Sequence, residues 1–246
     1  MTKPAFVTTS WDDGDLLDLR LAELLQSKGV KATFYIPVHG YRNRALSHAH
    51  LRMLAEQGFE VGAHSVSHKL LQGLSEQELM AEINPCKPAL EEIIGTEVKM
   101  FCYPLGRFDA NTVRLLKQAG FEGARTVRML STQADFDPFE MPTTVQSFPH
   151  PPFTYFKNAA KAGNIEGLKT CFCERDRLRN WVDLGKWLFD SVRENGGVWH
   201  MYGHSWEIEK LGLWNDLGEL LDYVSHRDGV HYVPNSELVA SRAAQS

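Results

Sequence analysis

Cysteine is scarce: four residues in 246, Cys86, Cys102, Cys171 and Cys173, too few and too scattered for a disulfide scaffold. Cys171 and Cys173 lie two apart, without the usual zinc-ligand spacing, and read as plain thiols. No run approaches the roughly 20 apolar residues of a membrane span. The stretch Met1 to Thr9 lacks an apolar segment of signal-peptide length, so the expected location is cytoplasmic. A positive excess is missing too: 26 Lys and Arg stand against 31 Asp and Glu, a formal charge of −5. That balance excludes bulk binding of nucleic acid or anionic membrane. The one basic run, Arg175 to Arg179, is broken by Asp176. Internal repeats, low-complexity tracts and linkers are also missing. What remains is 43% hydrophobic and 23% charged residues, an ordinary globular mixture that fits one domain over residues 1–246. Oligomeric state is left open.

Short apolar runs alternate with amphipathic segments. Ala5 to Ser10 reads as a buried strand that runs into the acidic turn Trp11-Asp12-Asp13-Gly14. Leucines at helical spacing follow until Gly29, and Lys31 to Ile36 is a second strand stopped by Pro37. A helix over 49–57 and a strand over 59–63 come next. Ser75 with Glu78 forms a capping box for a helix towards Ile94, bent around Pro85 and Pro88. Strand 98–103, helix 109–119 and strand 121–126 continue the alternation. The periodicity fades between Leu130 and Pro152, where a long surface excursion is expected. Helices over 158–170 and 181–195, strand 197–202, helix 215–226 and strand 230–233 complete the pattern. About seven strand–helix units predict a parallel sheet in a distorted (β/α) barrel, with the site at the carboxyl ends of the strands.

Asp12 and Asp13, His64, Pro104 to Gly106 and His204 follow strand ends. His64 and His68 meet on one face if their segment is a helical turn, a spacing that suits one metal ion. The alternative is a pair of loop histidines bonded to backbone. Two adjacent carboxylates are unfavourable unless a cation or proton separates their roles.

Ser10-Trp11-Asp12-Asp13-Gly14, then His64-Ser65-Val66-Ser67-His68, then Phe101-Cys102-Tyr103-Pro104-Leu105-Gly106 resembles the polysaccharide deacetylase family, the NodB-homology group of carbohydrate esterase family four. The likeness covers about residues 5–125, and beyond it only Gly197 to Ser205 is similar. It implies a NodB-like barrel in which Asp13, His64 and His68 hold a divalent metal, most commonly zinc, with cobalt, nickel or another divalent ion as substitutes. It further implies Asp12 as the general base and His204 as the acid that protonates the leaving amine, with His200 as the competing candidate or a core histidine. A backbone N–H around Tyr103 to Leu105 would hold the oxyanion, and Tyr103, Pro104, Leu105 and Trp206 would meet the substrate. Gly203 would turn the chain to aim His204.

The chain departs from the family in the third motif, where Cys102 stands at the place of an arginine that orients the catalytic Asp. Met141-Pro142-Thr143-Thr144 supplies none either, and Arg125 and Arg128 are the alternatives. The Asp-Trp motif that shapes the acetyl pocket is not evident. The reading implied is a metal-dependent hydrolase that removes an acetyl group from an N-acetylated sugar or related acylated amine. Two others stand beside it: hydrolysis of another non-peptide C–N bond, of cyclic amide or ureide type, and a non-catalytic, metal-containing sugar-binding module.

Overall fold

The computed structural model describes residues 3–41 and 43–243. Met1, Thr2 and the last residues of the expected 1–246 domain lie outside the described residues. The sheet is built around β1 (Ala5–Asp12), buried along its whole length. Such a strand must satisfy both faces, and its composition shows how. Val7 and Trp11 point into the apolar layer between sheet and helices, whereas Thr8 and Ser10 point into the barrel interior and bond there.

Around it lie β2 (Ala32–Ile36), β3 (Glu60–Ala63), β4 (Met100–Cys102), β5 (Gly123–Arg125), β6 (Val145–Gln146), β7 (Gly197–Gly203) and β8 (Val230–Tyr232). Seven strands follow the order β5-β4-β3-β2-β1-β7-β6, and β8 pairs with the first part of β1. All these pairings are parallel. Between the free edges the gap is spanned by the bridge Arg125 to Met141, so the sheet curls into an incompletely closed barrel, as the alternation predicts.

Helices cover the outer face. Leu21 and Leu25 of the helix Asp18–Ser27 pack in one cluster with Trp11 and Phe34. The capping box at Ser75 forms, but the expected helix to Ile94 divides into Glu76–Ile83 and Cys86–Ile94, with Pro85 capping the second. The expected helix over 158–170 likewise divides at Gly163, which takes the left-handed conformation between Pro152–Ala162 and Ile165–Cys173.

Residues 130–152 are not a surface excursion. Met141, Thr143, Thr144, Val145 and Ser147 are buried, and the stretch contributes β6. Its prolines hide the strand because two-residue pairing leaves no periodicity to read. Two helices also escape the sequence, Ser205–Leu211 and Asn235–Ala243. The second is held by long-range polar contacts: Thr8 Oγ1 donates to Asn235 Oδ1 at 2.8 Å, and Asn235 Nδ2 donates to the Tyr35 hydroxyl at 2.8 Å. The cysteines are free thiols, as expected.

Candidate active site at the carboxyl ends of the strands

Asp12 is the last residue of β1, with its side chain in the barrel interior. On a continuing strand the next side chain would point the opposite way. Asp13 instead takes a left-handed backbone, φ 79°, which swings its carboxylate to the same mouth. Adjacent carboxylates thus converge without a helix. The histidine pair obeys similar logic. His64 to His68 is a loop, not the helical turn the spacing suggested, and Ser65 and His68 both have positive φ, 61° and 57°. The two rings lie edge to face, with centroids 4.7 Å apart.

This loop is tied from beneath. Glu82, nearly buried, accepts from Ser67 N at 2.9 Å and Ser67 Oγ at 2.6 Å, its carbonyl accepts from Val66 N, and Ser65 Oγ accepts from His68 N. Left-handed non-glycine residues cost about 1–3 kcal/mol each and persist where the surroundings over-determine them. Here these part-buried bonds fix the turn.

Asp13 Oδ1 lies 3.3 Å from His68 Nε2 and 3.9 Å from His64 Nε2. Asp13 Oδ2 accepts from Trp206 Nε1 at 2.9 Å, whereas Oδ1 is buried and has no hydrogen-bond partner among the described residues. His64 Nδ1 is 2.8 Å from the Cys102 carbonyl, which requires the proton on that nitrogen and leaves Nε2 as a bare lone pair facing Asp13. Burial pushes the His64 pKa down to about 3 and lowers that of His68 as well. Burial, together with the Asp12 charge, raises Asp13. Three acceptor atoms aimed at one point, one of them orphaned, fit a cation.

The Asp12 side of the cleft has a different chemistry. Burial alone would raise Asp12, but the Arg125 guanidinium, helped by His64 and His204, holds it below the usual carboxylate range. Arg125 is fully buried and pairs with Asp12 through Nη2. Its Nε and Nη1 have no hydrogen-bond partner among the described residues; the charge instead faces the rings of Tyr202 at 4.8 Å and Tyr35 at 5.4 Å. The alternative between Arg125 and Arg128 is thereby resolved: Arg128 turns away to Glu140. Arg125 sits on β5 in direct register with Cys102 on β4, so the guanidinium is displaced by one strand from the place Cys102 occupies. Burial holds the Cys102 thiol protonated, and Sγ lies 3.9 Å from Asp12 Oδ2 as a weak donor.

His204 sits where β7 ends, with Nε2 3.8 Å from Asp12 Oδ2 and Nδ1 2.6 Å from Glu207 Oε2. Burial lowers its pKa, yet the Glu207 hydrogen bond and the charges of Asp12 and Asp13 outweigh that and leave it raised. Glu207 escaped the sequence reading. Its signal was the three-residue spacing from His204, readable only with a helix beginning at Ser205. Ser205 Oγ anchors that helix by donating to buried Asp18 at 2.6 Å. Gly203 does not turn the chain: it is the extended end of β7, and a Cβ there would meet Ser147 Oγ at 1.9 Å, so close packing demands glycine.

His200 is a core histidine. Its ring bonds Ser10 Oγ at 2.9 Å and the Pro142 carbonyl at 3.0 Å, and burial takes its pKa to about 3.

Asp12, Asp13, His64, His68, Tyr103, Leu105, His204 and Trp206 all line one cleft of about 350 Å³. Pro104 does not; it is buried in the turn beneath. Tyr41, unforeseen, stacks on His68 with ring centroids 3.9 Å apart. Trp214 stands apart, bonded to Glu209 and covered by Arg20.

A family model described as polysaccharide deacetylase matches residues 1–124. The Bacillus subtilis protein YxkH, provisionally named a polysaccharide deacetylase, is 23% identical over 123 residues, 47% of this chain and 42% of that protein. The chain thus spans less than half the length of the curated relatives it matches. A solved structure from Mycobacterium smegmatis with the same provisional description aligns with TM-score 0.67 at 18% identity, over 100% of this chain and 92% of that one. A family 4 acetyl xylan esterase from Clostridium thermocellum, solved with a cobalt ion, aligns with TM-score 0.59 at 17% identity, over 97% and 92% of the chains.

Proposed function

This chain belongs to the polysaccharide deacetylase family, and we propose that it is a metal-dependent deacetylase that releases acetate from an N-acetylated sugar. The observation that carries the reading is the buried, unpartnered Asp13 Oδ1 opposite the two imidazole Nε2 atoms. Asp13, His64 and His68 would hold the ion, zinc by preference for this oxygen and nitrogen donor set. Bound there, a divalent ion supplies a Lewis acid that polarises an acyl carbonyl and acidifies water.

The remaining steps fall to the chain's own groups. Asp12 is ionised and held by Arg125, which suits it to take a proton from the attacking water. As the tetrahedral adduct collapses, the C–N bond breaks and the amine needs a proton. His204, whose pKa the Glu207 hydrogen bond raises, donates it from Nε2. For the oxyanion, Pro104 has no N–H and the Tyr103 N–H already reaches the Arg125 carbonyl at 3.4 Å, so the Leu105 N–H is the donor of the turn. Trp206 bonds Asp13 and presents the rest of its ring to the cleft, where a sugar face can stack.

Chelation should abolish acetate release from N-acetylglucosamine oligomers, and zinc or cobalt should restore it. Equal rates with and without metal would overturn the reading. Turnover of small ureides but of no acetylated sugar would reassign the same site to another C–N bond, and sugar binding without turnover would make it a binding module.

A further inference from the structure

Beside the cleft lies a second depression of about 200 Å³, with which it shares Gly106 and Val127. Arg107, Arg128 and Lys161 line this groove beside Phe108. In a chain of net charge −5, three cations gather where the active-site cleft opens. We propose that the groove binds an anionic group, a carboxylate or a phosphate, carried by the acylated substrate; the proposal rests on the deacetylase reading.

The carboxylates nearby are already engaged. Glu140 pairs with Arg128 through Nη1 alone. Asp109 accepts from Thr112 N at 2.9 Å and Gly73 N at 3.1 Å, capping the helix behind the groove. Among the described residues no carboxylate lies within ion-pair distance of Arg107 or Lys161. Their charges are exposed and uncompensated, which suits a ligand anion more than a structural tie.

The walls are fixed. Asn158 Nδ2 donates to the Val127 carbonyl and Asn158 Oδ1 accepts from Met129 N, both at 2.8 Å, so the helix Pro152–Ala162 that carries Lys161 is pinned to the segment that carries Arg128. Phe108 stacks on Tyr103 at 4.2 Å, and the Arg128 guanidinium lies over Phe108 at 5.4 Å. At Gly106, φ 64°, a Cβ would sit 2.2 Å from Val127 Cγ2. Glycine there lets the turn pack directly on Val127, so the wall shared by cleft and groove is fixed.

The test uses the zinc-loaded full chain with three probes that lack an amide: glucose, glucuronate and glucose 6-phosphate. Calorimetric titration at low salt should show the charged sugars binding about fivefold tighter than glucose, the gain that two exposed ion pairs supply. The tighter of the two names the anion. The preference should vanish in R107A/K161A, persist in R107K/K161R and shrink as salt rises. Equal affinities for all three sugars in the unmodified protein would overturn the proposal. So would a preference that survives R107A/K161A, since the anion would then sit on the metal. Turnover of acetylated sugars is measured separately: charge preference without turnover sinks the deacetylase reading and keeps the groove, and turnover without charge preference does the reverse.

Discussion

The two sides of the cleft are built on different principles. Asp13, His64 and His68 come from two loops that follow β1 and β3, and each reaches its place through left-handed backbone at or beside it. Asp12 ends β1, His204 and Glu207 follow its neighbour β7, and Arg125 lies on the distant β5. Arg125 on β5 is four strands from Asp12 on β1 along the sheet, yet the two side chains touch across the interior. That contact exists only because the sheet curls. The first side gathers acceptors around an orphaned oxygen; the second neutralises its carboxylate with a buried guanidinium. One side offers acceptors that fit a cation, and the other already contains one.

The sharpest test of that division is Asp12→Asn. If Asp12 belongs to the proton-handling side, turnover should fall by about 10²–10⁴-fold while elemental analysis shows the metal retained. Loss of metal instead would move Asp12 across to the ligand side.

Arg125→Met should show next how far the second side depends on its internal cation. It strands the Asp12 charge in the interior, a change that costs about 3–5 kcal/mol, read as a fall in Tm. Asp12 should also rise from its lowered pKa, so activity should now fail at a higher pH on the acid limb. If Tm and acid limb are both unmoved, the pair does not hold the base.

The smallest expected change is in Glu207→Gln. If His204 is the proposed acid it must be protonated to donate, so activity should be lost as pH rises through its pKa, which Glu207 helps to hold above the ordinary 6.5. Without that carboxylate the pKa drops, and the alkaline limb should move to lower pH with the acid limb in place. A shift of the acid limb alone would contradict the assignment.

These differences bear on what could be read from the residues. The parallel alternation was legible because burial on both faces imposes apolar strands and amphipathic helices. Asp12, Asp13, His64 and His68 were legible because they stand in short stretches at strand ends, although the mechanism imagined for the pair, a helical turn, was not the one used. β6 was not legible. Its two residues owe their conformation to β7 and to the bridge at Met141, neither of which leaves a periodic trace. Arg125 was visible as one of two candidates, because distance along the chain says nothing about which side chain enters the barrel. Glu82 beneath the histidine loop and Tyr41 over His68 left no local mark, since they act through contacts between segments.

What the residues alone determined is the donor chemistry: two acids and two imidazoles at the ends of strands, which follows from local backbone preferences and side-chain type. Only the tertiary structure decided which guanidinium meets Asp12, which histidine sits at the mouth and which is sealed inside, and that a cationic groove adjoins the cleft. Those choices depend on the curvature of a sheet whose last strands pack against its first. Curvature belongs to the assembled strands, and no single segment encodes it.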